Sequence, residues 1–116
     1  MKRVVITGYG IVSCLGNNKN EVLESLQQGK SGIKFQQTYK DQGMKSHIAG
    51  SIDIDFKEMI GRKDLRFMSA SSIYAYIAMQ EAINHSGLTE DQVSDIRTGL
   101  IIGAGGSSSE SIVESV

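Results

Sequence analysis

The chain has no proline, one cysteine and two histidines among its 116 residues. A single cysteine, Cys14, excludes an internal disulfide framework and any zinc site built from cysteines, and it fits a reduced, cytoplasmic compartment. Long hydrophobic runs are also missing. The apolar stretch inside Met1–Thr7 is too short for the core of a signal peptide, and nothing approaches the ~20 residues that span a bilayer. Neither sign of charge dominates: twelve Lys and Arg stand against thirteen Asp and Glu, a formal net charge of -1. That balance removes any global electrostatic case for binding nucleic acid or an anionic membrane, so local clusters must be judged separately.

What is abundant is glycine, with thirteen residues, mostly at junctions between patterned segments. Glycines placed so belong to tight strand-to-helix turns and point to an α/β class. The length suits one modest domain with a real core and no internal boundary. Lys2–Thr7 is apolar and β-branched, the pattern of a strand buried on both faces, and Thr98–Gly103 repeats it. Asn18 is placed to cap a helix, with Glu21 as its capping-box partner, Val22, Leu23 and Leu26 as the apolar face, and Gly29 just past the end. Residues 30–50 are irregular apart from a short strand at Ser46–Gly50, and Asp55–Ile60 reads as a helical turn. One long helix is expected from Lys63 to Ser86, stopped by Gly87 and apolar enough to be buried on more than one side. Along it run Ser71, Ala75, Ala78 and Ala82, small residues that admit a close backbone. A short acidic turn follows at Glu90–Asp95. Ser107 and Glu110 have capping-box spacing, and Ile112, Val113 and Val116 start another apolar stripe, so the chain is expected to stop inside a helix, as a truncated protein would.

Two glycine-rich loops invite a nucleotide reading. Gly8-Tyr9-Gly10 follows a strand, as in the dinucleotide fingerprint, but Gly16-Asn17-Asn18 separates it from the helix that would hold the phosphates. Glu24, near the place of the acidic ribose ligand, falls inside that helix. Gly103-Ala104-Gly105-Gly106 has no lysine and is no P-loop; it serves either as a tight turn or as backbone leaving room for a ligand or a second chain.

In combination the motifs are more specific. Met1–Ser13, Gly16-Asn17, Gly29-Lys30-Ser31-Gly32-Ile33, Arg62–Ser69, Ser72–Ala75 and Leu100–Gly106 resemble the beginning of the beta-ketoacyl-acyl-carrier-protein synthases, the elongating condensing enzymes of the thiolase-like superfamily, and their type I members in particular. The resemblance runs from Met1 to about Ser109 and covers well under half of a complete member. It implies part of the N-terminal half of an α-β-α-β-α sandwich with mixed sheets. It also implies decarboxylating Claisen condensation of an acyl group with malonyl-ACP, a homodimer, a cytoplasmic setting and no cofactor or metal. The family's cysteine nucleophile, its two histidines and a supporting lysine are expected beyond Val116, so no catalytic residue is assigned and the chain alone is expected to be inactive. Cys14, His47 and His85 form no recognisable acid-base or metal constellation. Gly106 matches the family loop bordering the acyl pocket and is expected to bind substrate. A non-catalytic carrier-binding subunit of the chain-length-factor type is the alternative within the superfamily, and a dinucleotide-binding fold the alternative outside it.

One cluster breaks a local rule. Arg62, Lys63 and Arg66 stand at the expected start of the long helix, where cations oppose the macrodipole by about 0.3–1 kcal/mol each. A solvated basic turn paired with Asp53, Asp55 or Glu58 is one explanation. The other is a docking site for acyl carrier protein, the family's acidic partner, and it is the reading adopted as the expectation.

Overall fold

The computed structural model describes residues 3–106 and 108–114. Among the described residues eight elements follow one another: α1 (Lys19–Gln27), β1 (Ile33–Phe35), α2 (Gln37–Asp41), β2 (Ile48–Gly50), α3 (Arg62–Leu65), α4 (Ala70–Ser86), α5 (Glu90–Val93) and α6 (Ser109–Glu114). The class is mixed α/β. The described residues form two compact units, one of residues 11–55 and one of residues 3–10 with 56–114.

In the unit of residues 11–55, Ser13 and Gly16 exchange backbone hydrogen bonds of 2.9 and 3.2 Å, closing a tight turn. Asn18 caps α1: its side-chain oxygen accepts from the N–H groups of Asn20 and Glu21, both at 3.0 Å. Glu21 reaches back as expected but lands one residue earlier, accepting from the Asn17 N–H at 2.8 Å. At the other end Gly29, at φ 63°, donates to Leu26 O, and the Lys30 N–H donates to Ser25 O. These are the two bonds of a Schellman stop. The inward stripe of α1 differs from expectation. Val22 and Ser25 are buried, whereas Leu23 and Leu26 are exposed. Ser25 can be buried because its hydroxyl donates to the Leu15 carbonyl at 2.7 Å.

The strand expected near residue 48 is present. Its partner is β1, which composition alone does not single out, in antiparallel register with Ile33 opposite Gly50 and Phe35 opposite Ile48. The Gln36 N–H donates to His47 O at 2.7 Å and extends the ladder, and the Phe35 and His47 rings meet edge to face at 6.0 Å. Helix α2, also unexpected, ends at Gly43 (φ 69°) with the same paired bonds, Gly43 N–H to Lys40 O and Met44 N–H to Tyr39 O.

The unit of residues 3–10 and 56–114 corrects three expectations. Residues 3–7 and 98–103 are not strands: among the described residues no backbone ladder meets them, and Val4, Ile6 and Ile101 are 91%, 90% and 97% exposed. A β-branched run becomes a strand only where another edge satisfies its N–H and C=O groups, and neither run offers itself to the other. The helix expected from Lys63 to Ser86 is two. After α3 the Phe67 and Met68 N–H groups bond three residues back, to Asp64 O and Leu65 O, and Ser69 then accepts from the Ser72 N–H to start α4. Ser69 Oγ also lies 3.0 Å from the hydroxyls of both Ser71 and Ser72, a local network that competes with an unbroken helix. Third, α4 is buried along one line, Ile73 and Ile77, while Tyr76 and Met79 are exposed.

Other features agree. Gly87 stops α4 at φ 71°, and the short acidic turn is present as α5, started by a Thr89–Gln92 capping box that was not expected. Residues 56–60 make a single hydrogen-bonded turn, with Ile60 buried. Helix α6 occupies the place expected for it, but Ser107, expected to cap it, and Val116 lie outside the described residues.

Candidate functional site

The two glycines of the first loop are used for packing. A Cβ at Gly8 would lie 2.4 Å from Ala82 O and 2.6 Å from Ser86 N, and one at Gly10 would lie 2.0 Å from Ala78 O. Carbon atoms do not approach backbone that closely, so residues 8–10 run directly along α4 over its small residues. Ala78 and Ala82 are half of the small-residue stripe read from the sequence, and the backbone they admit is this one. The face a pyrophosphate would need is filled by a helix, which removes the dinucleotide reading. Beside it, the Tyr9 and His85 rings meet edge to face at 4.8 Å, and His85 Nδ1 lies 3.3 Å from both the N–H and the carbonyl oxygen of Tyr9. His85 thus fastens the loop to the last turn of α4.

The other half of the stripe faces a cavity. Met68, Ser71, Ser72, Ala75 and Met79 form one wall of an apolar space of about 460 Å³, and Leu100, Ile102 and the 103–106 loop form the other. Gly106 is part of that lining, and a side chain built there would meet nothing within 4 Å. The small residues of α4 give the cavity its width, and the glycines of the loop leave its mouth open.

The basic residues sit on a short turn. Arg62 and Lys63 belong to α3, a helix of four residues, and Arg66 is its C-cap. The macrodipole conflict inferred from a long helix therefore does not arise: a four-residue turn carries little dipole, and a cation at its C-cap is favourable. The suggested pairing with carboxylates does not occur either, since among the described residues none is ion-paired with Arg62, Lys63 or Arg66. Lys57, Arg62, Leu65 and Arg66 line a cleft of about 490 Å³. Lys63 is exposed but is not part of that lining. Lys57 was not legible as a member of the cluster, because it precedes Arg62 by a turn and shares no helical spacing with it.

Cys14 is not poised as a nucleophile. It has no imidazole partner among the described residues, and it is hemmed in by two glycines: a Cβ at Gly32 would lie 2.7 Å from its Sγ, and one at Gly50 2.9 Å. Among the described residues no group of three or more His, Cys, Asp or Glu could hold a metal, and no helix is long and apolar enough to cross a membrane. The half-buried Asp95 accepts from Arg97 Nε and Nη2 at 2.9 and 3.2 Å, which holds its carboxyl below the ordinary aspartate range and serves to close the turn after α5.

Residues 1–115 match the family described as beta-ketoacyl synthase, N-terminal domain. Over 105 residues the chain is 56% identical to 3-oxoacyl-[acyl-carrier-protein] synthase 1 of Haemophilus influenzae, covering 90% of this chain and 26% of that protein. Over 109 residues it is 53% identical to the enzyme of the same name from Escherichia coli K12, covering 93% and 27%. A more distant relative is nodulation protein E of Rhizobium sp., 34% identical over 111 residues, covering 96% and 28%. The chain thus spans about a quarter of the length of the curated relatives it matches.

Proposed function

The chain belongs to the beta-ketoacyl synthase family, through that family's N-terminal domain, and from this we propose that it is part of a 3-oxoacyl-[acyl-carrier-protein] synthase of fatty acid biosynthesis. The observation that carries the reading is identity above one half, 53% and 56%, with two synthases of one name. The complete protein would join an acyl group held on a cysteine to the carbanion left when malonyl-ACP loses carbon dioxide. Cys14, His47 and His85 supply none of this: the first is enclosed by glycines and the histidines hold a strand edge and a loop. The 116 residues would be one part of the N-terminal half of an α-β-α-β-α sandwich, in a cytoplasmic homodimer that uses no cofactor or metal. The exposed apolar runs at 3–7 and 98–103 suit strands whose neighbours come from the remainder of such a sheet.

Two sites follow within this reading. Gly106 borders the acyl chain: its glycine keeps one side of an apolar cavity open. Arg62, Lys63 and Arg66 dock acyl carrier protein, an acidic partner, on an exposed turn where no described carboxylate neutralises them. Charge of this kind acts mainly on association rate and weakens with salt. The test is Lys63→Glu with Arg66→Glu in the complete synthase, comparing kcat/KM for acyl-ACP with that for a small acyl thioester. The ratio is expected to fall about tenfold at low salt and to recover partly as salt screens the repulsion between the new glutamates and the acidic carrier. Equal loss on both substrates would make the cluster structural and refute the docking assignment.

A further inference from the structure

Lys57 belongs to the basic cleft yet to none of the motifs that carry the family resemblance. The turn that holds it is firmly made: the Met59 and Ile60 N–H groups both donate to Phe56 O, at 3.1 and 3.0 Å, and Ile60 is buried. Gly61 then starts α3, its carbonyl accepting from Asp64 and Leu65 at 3.0 and 3.1 Å. These bonds fold the chain back so that Lys57 lines the same cleft as Arg62 and Arg66, with half-buried Leu65 as its apolar side. Three basic residues thus line one space of about 490 Å³, whereas Lys63 stands outside it. Guanidinium groups grip a carboxylate through paired N–H donors, and an ammonium adds a compact point charge. A protein helix that presents acidic side chains, with an apolar residue among them to meet Leu65, matches this lining in both charge and polarity.

We infer that the cleft formed by Lys57, Arg62 and Arg66 is the seat for a carboxylate of the acidic carrier protein, with Lys57 as a docking determinant in its own right, and that Lys63 contributes steering from outside the seat. This rests on the carrier-docking reading above. The experiment uses the complete synthase and compares Lys57→Glu, Lys57→Gln and the Lys63→Glu Arg66→Glu pair, each with its unfolding midpoint measured. The readout is the ratio of kcat/KM for acyl-ACP to that for a small acyl thioester, at low and at high salt. Lys57→Glu is expected to lower the ratio about three- to tenfold at low salt, with Lys57→Gln between it and the parent, and to flatten the salt dependence. A ratio lowered by the double variant but untouched by both Lys57 variants would overturn the role of Lys57 and leave carrier docking in place. A ratio untouched by every variant would overturn both. Loss on the two substrates alike, with a lowered unfolding midpoint, would make Lys57 a structural residue and overturn the inference.

Discussion

Gly10→Ala tests the seating of the first loop on α4. The alanine methyl would start 2.0 Å from Ala78 O, 2.8 Å from Glu81 Cβ and 2.9 Å from Ala78 C, where ordinary contact begins near 3.4 Å. Two of the three atoms are backbone, so no rotamer change relieves them. The loop must lift by more than an ångström, which also separates Tyr9 from His85 and pulls Gly8 off Ala82. Overpacking typically costs about 1–3 kcal/mol, and a collision with helix backbone belongs at the upper end, about 3 kcal/mol. Thermal unfolding of the complete synthase is the assay, and a fall of several degrees is expected. Gly8→Ala sharpens the test, because a Cβ there meets Ala82 O and Ser86 N before it meets the Ser86 side chain, at 2.4, 2.6 and 2.8 Å. Adding Ser86→Gly is therefore expected to restore little. A Gly10→Ala protein that melts with the parent, or a Gly8→Ala protein fully rescued by Ser86→Gly, would refute the backbone contact.

Other expectations are simpler to check. Asn18→Ala removes the side-chain acceptor for two N–H groups and is expected to destabilise by about 1 kcal/mol, read as a lower unfolding midpoint. Gly106→Met in the complete synthase is expected to reduce turnover on long acyl primers more than on short ones, since the new side chain enters an apolar cavity; equal loss at all lengths would indicate misfolding. The 116-residue chain by itself, with Val4, Ile6 and Ile101 almost fully exposed, is expected to self-associate, and a sharp, monomeric NMR spectrum at low concentration would contradict this.

Local chemistry was the legible part. Asn18, Gly29 and Gly87 each carry their own capping instruction within four residues, and the backbone follows them. What depended on a distant partner was not legible. Val4 to Ile6 and Leu100 to Ile102 have the composition of buried strands, but composition does not supply a neighbouring edge. The break at Ser69 was hidden because apolar periodicity continues through it from Leu65 to Ile77, while three serine hydroxyls decide the geometry. The same break dissolves the electrostatic conflict that first marked Arg62, Lys63 and Arg66 as unusual. The interest of Arg62, Lys63 and Arg66 now rests on charge that no described carboxylate neutralises, and Lys57 lines the same cleft as Arg62 and Arg66 through a turn that no helical spacing reveals. The stripe of small residues on α4 was visible, but its division into a seat for Gly8–Gly10 and a wall of a cavity was not.

The enclosure of Cys14 has an epistatic consequence. At Gly32 the closest atoms to a new Cβ are the carbonyl oxygen and carbon of Cys14, at 2.4 and 2.6 Å, so glycine is required there whatever side chain residue 14 carries. At Gly50 the closest atom is the sulfur itself, at 2.9 Å, and the next, Cys14 Cβ and Ile33 Cδ1, lie at 3.4 and 3.5 Å. Glycine at position 50 is therefore conditional on sulfur at position 14. Once Cys14→Ala has occurred, Gly50→Ala becomes tolerable, and in the reverse order the intermediate is strained. A lineage can reach the alanine pair by one route and not the other, whereas position 32 remains closed along both.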